Sequence, residues 1–480
     1  MKNLIPHFIQ QRLLEEKKHG SFEAYTMFVD MSGFTRLTEA LLQLGRVGAE
    51  RLSLILNAIF EPMVGLVYEY GGFIPYFAGD AFIAIFSLKK CECTAEDVLA
   101  LAQRQFELLE EASKGFKEFE IGVKIGLSCR RVEWGIVGKE RKSFYFRGPA
   151  IRGCSDSQGL AQQHEIIADQ AFTRRLTMPI ALTALPVEGF FQVAEAPGQL
   201  PEKPVLPPLP PLQREVAAHF LPEAVLQFNQ GGEFRTVVSV FMAFEGVDTH
   251  ASLNEFASIV LGHIDNFCGY FKEIDFSDKG GVLVAFFGAP VSFENNVERA
   301  LEFVAAVQED LLPLQLSGSL QFKAGIGTGI AYTGIVGGKE RCQYAAVGNK
   351  VNIAARAMMR AGWGEVLVDA EVQKSRHFRF QYKGDMTYKG LKEKIPTYQL
   401  AGRSAERRQN FEGPMVGRQR ELARLTGFGE QAIRESRAAI AYIYGEAGIG
   451  KTRLSFELRH QLRRRLRFSW LTCQSDQILR

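Results

Sequence analysis

Cysteine is scarce and badly spaced for bridging. The seven are Cys91, Cys93, Cys129, Cys154, Cys268, Cys342 and Cys473. An odd number at wide intervals argues against a disulfide framework and fits a reducing, cytoplasmic setting. Cys91-x-Cys93 has no second pair nearby to complete a metal site, so the two read as ordinary free thiols at a strand end or loop. An excess of one charge is also missing. Lys+Arg is 57 against Asp+Glu 54, a net +3, which gives no electrostatic case for a nucleic-acid partner. No apolar run approaches the ~18–20 residues that cross a bilayer, so no membrane partner is expected. The opening MKNLIPHFIQQRLLEEKKHG has no long apolar core and no small-residue cleavage site; it reads as a short amphipathic helix rather than a leader. What is present is ordinary for a globular chain: 46% hydrophobic and 23% charged over 480 residues. At ~150 residues per domain, that length suggests about three domains.

The chain repeats itself. HFIQQRLLEEKKHGSFEAYTMFVDMSGF matches HFLPEAVLQFNQGGEFRTVVSVFMAFEG, with His7 against His219 and Phe22 against Phe234. KIGLSCRRVEWGIVGKERKSFYFRG matches KAGIGTGIAYTGIVGGKERCQYAAVG, with Lys124 against Lys323 and Gly135 against Gly334. A shift near 200 means two copies of one domain, not a solenoid. Between them PGQLPEKPVLPPLPP, residues 197–211, holds seven of the 18 prolines and reads as a semi-rigid polyproline spacer. The expected division is 1–195, 196–213 (linker), 214–402 and 403–480 (a second linker and a new domain). Within copy one, AYTMFVDM reads as a strand and GFTRLTEALLQLGRVGAERLSLILNAIFEPMVGLVYEYG as helices. GGFIPYFAGDAFIAIF reads as a hairpin around Asp80, followed by a helix and an alternating strand. The order β-α-α-β-β-α-β predicts an α+β fold.

Asp30 ends the first strand and Asp80 sits at the hairpin tip. Two carboxylates on adjacent strand ends can share a pair of divalent cations; hard Mg²⁺ takes oxygen ligands and leaves room for substrate phosphates. Met31-Ser32-Gly33-Phe34-Thr35 opens a helix, whose N-terminal amides make a phosphate cradle. Copy two supplies different residues. Lys279 lies in the counterpart hairpin FSDKGGVLVAFFG. Asn352 and Arg356 stand at i, i+4 in VGNKVNIAARAMMR, on one helix face. An amide beside a guanidinium suits a ribose and a reacting phosphate.

FVDMSGFTRLTE, FAGDAFIAIF and VGNKVNIAARAM, in that order, resemble the class III nucleotidyl cyclases over about residues 20–400. The tandem copies followed by an NTPase segment resemble the soluble adenylyl cyclase type. The resemblance implies ferredoxin-like domains paired head to tail within one chain, with the active site between them. It implies that Asp30 and Asp80 hold two Mg²⁺ or Mn²⁺ ions, completed by the Met31 carbonyl. Lys279 would read adenine, and Asn352 and Arg356 would orient the ribose and stabilise the transition state. Lys389 or Lys392 would reach the triphosphate. The lysine's usual Asp or Thr partner is replaced by Ala345, leaving the carbonyl of Ala346 as acceptor. The expected activity is adenylate cyclase, from ATP to cyclic AMP and pyrophosphate in intracellular signalling. The alternatives are guanylate cyclase and a nucleotide-sensing module without turnover.

The copies are not equivalent. At the repeat shift Asp30 faces Met242 and Asp80 faces Gly281, while Asn352 faces Arg152 and Arg356 faces Asp156. One complete site and one degenerate pocket should result. The pocket would be lined by Tyr76, Arg152, Ser155 and Asp156 and open to a small-molecule effector, with bicarbonate a poor one. Finally, Gly445-Glu-Ala-Gly-Ile-Gly450-Lys451-Thr452 fits G-x-x-x-x-G-K-[ST] between an expected strand, AAIAYIY, and a helix. That context makes it a P-loop, and the preceding MVGRQREL resembles the entry to AAA-like or STAND-type ATPases. The start of an α/β P-loop NTPase domain is therefore expected.

Overall fold

The computed structural model describes residues 2–116, 119–194, 197–229, 231–276, 280–317, 320–387, 394–404, 415–445 and 449–466. It divides into two units, Met1–Gly402 and Arg403–Arg480.

In the first unit a long strand of each copy seeds a sheet. Copy one runs α1 (His7–Leu14), β1 (His19–Ser32), α2 (Phe34–Leu42), α3 (Gly45–Glu69), β2 (Phe77–Ala78), β3 (Ala81–Ser87), α4 (Ala95–Ser113) and β4 (Gly122–Val137). It continues through β5 (Ser143–Arg147), α5 (Pro149–Leu160), β6 (Ile166–Asp169), α6 (Gln170–Thr173), β7 (Leu182–Ala184) and β8 (Phe190–Val193). Its strand order is β2-β3-β1-β4-β6-β8-β7, with β5 beside β4. The expected β-α-α-β-β-α-β order is present from β1 to β4. Copy two follows it with one helix in place of α2 and α3: α7 (Arg214–Ala218), α8 (Glu223–Leu226), β9 (Glu233–Glu245), α9 (His250–Asn266), β10 (Tyr270–Asp275), β11 (Gly281–Phe287), α10 (Asn296–Ser317) and β12 (Gln321–Gly337). There follow β13 (Cys342–Val347), α11 (Asn349–Arg360), β14 (Val366–Asp369), β15 (Phe378–Met386) and β16 (Ile395–Arg403). The second sheet, β10-β11-β9-β12-β14-β16-β15 with β13 beside β12, has the same topology.

Alternation along β1 explains what each face does. Met27, Val29 and Met31 point into copy one's own core, whereas Ala24 and Phe28 face a third apolar cluster built from both copies. The pairing is reciprocal. Tyr332, Val336 and Ala345 of copy two enter the core of copy one, and Val137 and Tyr145 of copy one enter the core of copy two. The leading segments cross over as well. Cys342 N–H donates to Asn3 O, and Lys142 N–H donates to His219 O. Arg341, 1% exposed, donates to the carbonyls of Leu4, Ile74, Pro75 and Cys342. The proline-rich segment lies along copy one: Tyr70 Oη donates to Pro201 O (3.2 Å), and Lys203 pairs with Glu69 (2.9 Å).

One expectation needs revision. By length and composition α3 is apolar enough to cross a membrane. Its apolar stripe, from Leu52 through Ile59 and Phe60 to Val67, is buried in copy one's core, which accounts for that composition.

In the second unit α12 (Gln419–Arg434) packs on α13 (Lys451–Arg465). Thr426 Oγ1 bonds Gln461 Oε1 (3.0 Å), and Arg465 pairs with Glu430 (2.9 Å). The strand expected at AAIAYIY does not form: Ile440, Tyr442 and Tyr444 are 84%, 88% and 91% exposed. A strand needs a neighbour to pair with, and none stands beside this stretch among the described residues.

Candidate functional site

Asp30 and Asp80 meet because β1 pairs with β3. Asp30 lies opposite Ala81, and Asp80 is the last residue of the two-residue turn joining β2 to β3. Gly79 takes φ +71° in that turn, where a side chain would be strained. The Asp80 carboxyl is pushed up to about 7, first by burial and then by the charge of Asp30. Asp30 carries its own support. Lys124 lies opposite on β4 with Nζ 3.4 Å from Oδ2, and Gln158 Nε2 donates to the same oxygen at 2.6 Å. Two crowded carboxylates, one already leaning on an ammonium, make a hard-oxygen donor set short of positive charge. The residues therefore fit a divalent cation. Among the described residues no group of three or more His, Cys, Asp or Glu could hold a metal, so a backbone carbonyl such as that of Met31 is needed to complete it. The Met31 side chain itself is buried in the core.

Ser32 ends β1, and Gly33 caps α2 at φ +94°. A Cβ on Gly33 would lie 2.3 Å from Glu120 O, so glycine is required twice over. Phe34 buries its ring and has only its backbone to offer a ligand. The Thr35 side chain is outside the described set, as are Lys279, Lys389 and Lys392.

Across the interface, Asp80, Gly79 and Phe34 of copy one line one cleft with Ala346, Gly348 and Asn352 of copy two. It encloses about 160 Å³. Ala346 faces the cleft while Ala345 turns into the core, as alternation on β13 dictates. Arg356, one turn beyond Asn352, is outside that lining. It is half-buried, makes no hydrogen bond or ion pair among the described residues, and its pKa is lowered by burial. A desolvated cation without an anion is suited to receive one.

The cleft also holds residues that sequence reasoning missed: Lys272, Glu273 and Asp275 on β10. Three of the neighbours close a ring around Phe77. Phe77 N–H donates to Gln343 Oε1 (3.0 Å), and Gln343 Nε2 donates to Glu273 Oε2 (3.1 Å). Lys272 Nζ bonds Glu273 Oε1 and donates to Phe77 O (2.6 Å). The ring ties the hairpin that carries Asp80 to copy two. Burial raises the Glu273 carboxyl, and Lys272 opposes that shift. The available signal was three charged residues in a strand otherwise apolar. Lys124 was legible in the same way.

The second cleft, about 970 Å³, is lined by Arg152 and Asp156 with Arg130, Arg147 and the Gly280-Gly281 turn. Tyr76 and Ser155 do not line it; both are 2% exposed. Tyr76 is packed in the shared interface cluster, where burial raises its phenol. The repeat shift also slips by one residue on β9. Asp30 pairs with Lys124, and Ala243, not Met242, pairs with Lys323. Met242 is the core-facing equivalent of Val29; a one-residue slip on a strand exchanges faces.

In the second unit Lys451 Nζ donates to Gly445 O (2.8 Å). Gly450 holds φ +95° directly before α13, on which Thr452 is the second residue.

A family model described as Adenylate and Guanylate cyclase catalytic domain matches residues 18–187 and 231–402, and one described as AAA ATPase domain matches 414–480. Adenylate cyclase type 10 of Homo sapiens is 25% identical over 499 aligned residues, covering 92% of this chain and 31% of that protein. Adenylate cyclase 1 of Rhizobium meliloti is 34% identical over 160 residues, covering 30% of this chain and 24% of its own length. The chain thus spans about a third or less of these relatives. Among solved structures, a class III adenylyl cyclase-like ATP-binding protein from Pseudomonas aeruginosa superposes with a TM-score of 0.54 at 13% identity. It covers 75% of this chain and 86% of that one, a likeness of fold.

Proposed function

The chain belongs to the adenylate and guanylate cyclase catalytic-domain family, and from that premise we propose that its first unit converts ATP to cyclic AMP and pyrophosphate. The observation that carries this reading is one cleft lined jointly by Asp80 of copy one and Asn352 of copy two. The copies act as halves of one site, at residues 1–195 and 214–402. The ribose 3′-oxygen bonds to the α-phosphorus as the bond to the bridging oxygen breaks and pyrophosphate leaves. Asp30, held as an anion by Lys124 and Gln158, is the candidate to receive the hydroxyl proton. Asn352 orients the ribose. Arg356, desolvated and unpaired among the described residues, meets charge developing on the α-phosphate, a role often worth ~3–4 kcal/mol. The amides after Ser32 and Gly33 cradle phosphate at the start of α2. Lys279 donates to adenine N1, the Ala346 carbonyl accepts from the adenine amino group, and Lys389 or Lys392 reaches the triphosphate. Asp30, Asp80 and the Met31 carbonyl would hold two Mg²⁺ or Mn²⁺ ions, whose chemistry is to acidify the hydroxyl and neutralise the leaving phosphates.

Guanylate cyclase is the second reading. Asp275 and Glu273 line the same cleft, and acceptors are what guanine N1–H and its amino group require. The deciding experiment is a product assay with ATP and GTP, each with Mg²⁺ or Mn²⁺. Cyclic AMP from ATP, lost in Arg356→Ala, is the expected result. Cyclic GMP from GTP alone would reverse the base assignment. No product from either nucleotide, with nucleotide still bound, would mean a sensing module.

A further inference from the structure

Cys91 and Cys93 follow β3, in the turn before the Thr94 cap of α4. Both thiols aim at one acceptor. Cys91 Sγ donates to Tyr70 O at 3.0 Å, and Cys93 Sγ approaches the same oxygen at 3.4 Å. The thiols also hydrogen-bond one another, and that contact is the leading cause both of a lowered Cys91 pKa and of a raised Cys93 pKa. Cys91 is 8% exposed and Cys93 is more open to solvent. Cys91 thereby differs from Cys129 and Cys154, which burial raises to about 11 and about 12.

The shared acceptor is placed where a change would be felt. Tyr70 is the C-cap of α3, and its hydroxyl donates to Pro201 O. The adjacent Gly71 lies against both Cys91 and Leu206 of the proline-rich segment. We propose that Cys91 and Cys93 form a thiol–disulfide exchange site for small disulfides of the glutathione class, one that sets how firmly the proline-rich segment is seated. The Cys91 thiolate, stabilised by the S–H of Cys93, attacks one sulfur of the small disulfide. That S–S bond breaks, one small thiolate leaves, and a mixed disulfide forms on Cys91. The leaving thiolate takes the Cys93 proton, and Cys93 then attacks the Cys91 sulfur and displaces the second small thiol. Two protein thiols become one disulfide, one small disulfide becomes two thiols, and their protons pass to the leaving thiolates. The oxidised pair has no S–H, so both hydrogen bonds to Tyr70 O are lost together.

The test uses the full chain in reduced and oxidised glutathione mixtures of stepped ratio. Samples are acid-quenched, denatured, alkylated, digested and read by mass spectrometry. The peptide containing both cysteines should lose its two alkylations together, reversibly, while Cys129, Cys154 and Cys342 keep theirs. Cys93→Ser, whose hydroxyl can still donate to Tyr70 O, should instead accumulate the glutathione adduct on Cys91. Both cysteines remaining thiols while the exposed Cys268 takes up glutathione would overturn the site. So would an adduct on Cys91 that persists without closure in the unsubstituted chain. Limited proteolysis supplies the second arm. Cleavage within 197–211 should quicken several-fold on oxidation and stay unchanged in Cys91→Ser; equal rates in both redox states would overturn the link to the proline-rich segment.

Discussion

Replacing Asp80 with Asn should stabilise the metal-free protein. The carboxyl stands at about 7 when folded against 3.8 for the free group. Its folded pKa is raised, so the native state holds that proton more tightly than the unfolded chain does. This contribution is complete below the unfolded value, falls as pH climbs from about 4 to about 7, and is gone above that. A shift near three pH units corresponds to ~4 kcal/mol at 1.36 kcal/mol per unit. Asp80 is only half-buried, so solvent screening brings the expected loss to ~2 kcal/mol. Asn has no charge to desolvate or to repel Asp30, and should keep what the parent loses. Urea unfolding in EDTA at pH 5 and pH 8 measures this, with fluorescence of the buried Trp134 reporting on copy one. At pH 8 the variant should be more stable by ~2 kcal/mol. Saturating Mg²⁺ or Mn²⁺ should reverse the order, since an ion bound only by the folded parent adds ~2.7 kcal/mol at a hundredfold excess over Kd. If the variant shows the parent's pH slope in EDTA, or if the ions stabilise both proteins alike, the argument that these carboxylates are crowded for a cation fails.

Arg341→Met should cost at least ~3 kcal/mol, because four backbone carbonyls lose their donor at once; chemical denaturation measures it. Gly33→Ala should lose ~1–3 kcal/mol and most turnover while far-UV circular dichroism is unchanged, since the strain falls on the segment between β1 and α2. Arg356→Ala should lower kcat by about 10²–10³ with little change in KM. Equal falls in binding and turnover would instead assign Arg356 a ground-state role. The two copies expressed separately should each be inactive and recover activity on mixing, weakly because the proline-rich tether no longer concentrates them.

Local pattern carried the strand and helix order well. β1, β4 and their counterparts each run for more than ten residues, rich in apolar side chains, and that length made them stand out as strands. Sequence reasoning was weaker where function depends on register. Met242 and Ala243 are neighbours in sequence, yet only pairing with β12 shows which of them occupies Asp30's place. Tyr76 was expected in a pocket because its repeat position suggested one; its ring instead fills the shared interface, a long-range packing outcome that no local pattern records. The ring of Lys272, Glu273 and Gln343 around Phe77 joins residues up to 266 positions apart, and only the paired sheets bring them together. AAIAYIY had a strand's composition without a strand's neighbour.

The crossed leading segments give the two copies different histories during synthesis. Lys142 is already made when His219 emerges, so the second segment can dock as soon as it appears. The first cannot. Asn3 bonds Lys339 across 336 residues, and at ~5–20 residues per second its partner arrives roughly 17–70 seconds later. For that interval Leu4, Ile5 and Ile9, all buried in the finished protein, have no copy-two surface to cover them. The amino-terminal residues therefore need cover on the nascent chain throughout that interval, and reach their final place only once most of copy two has been made.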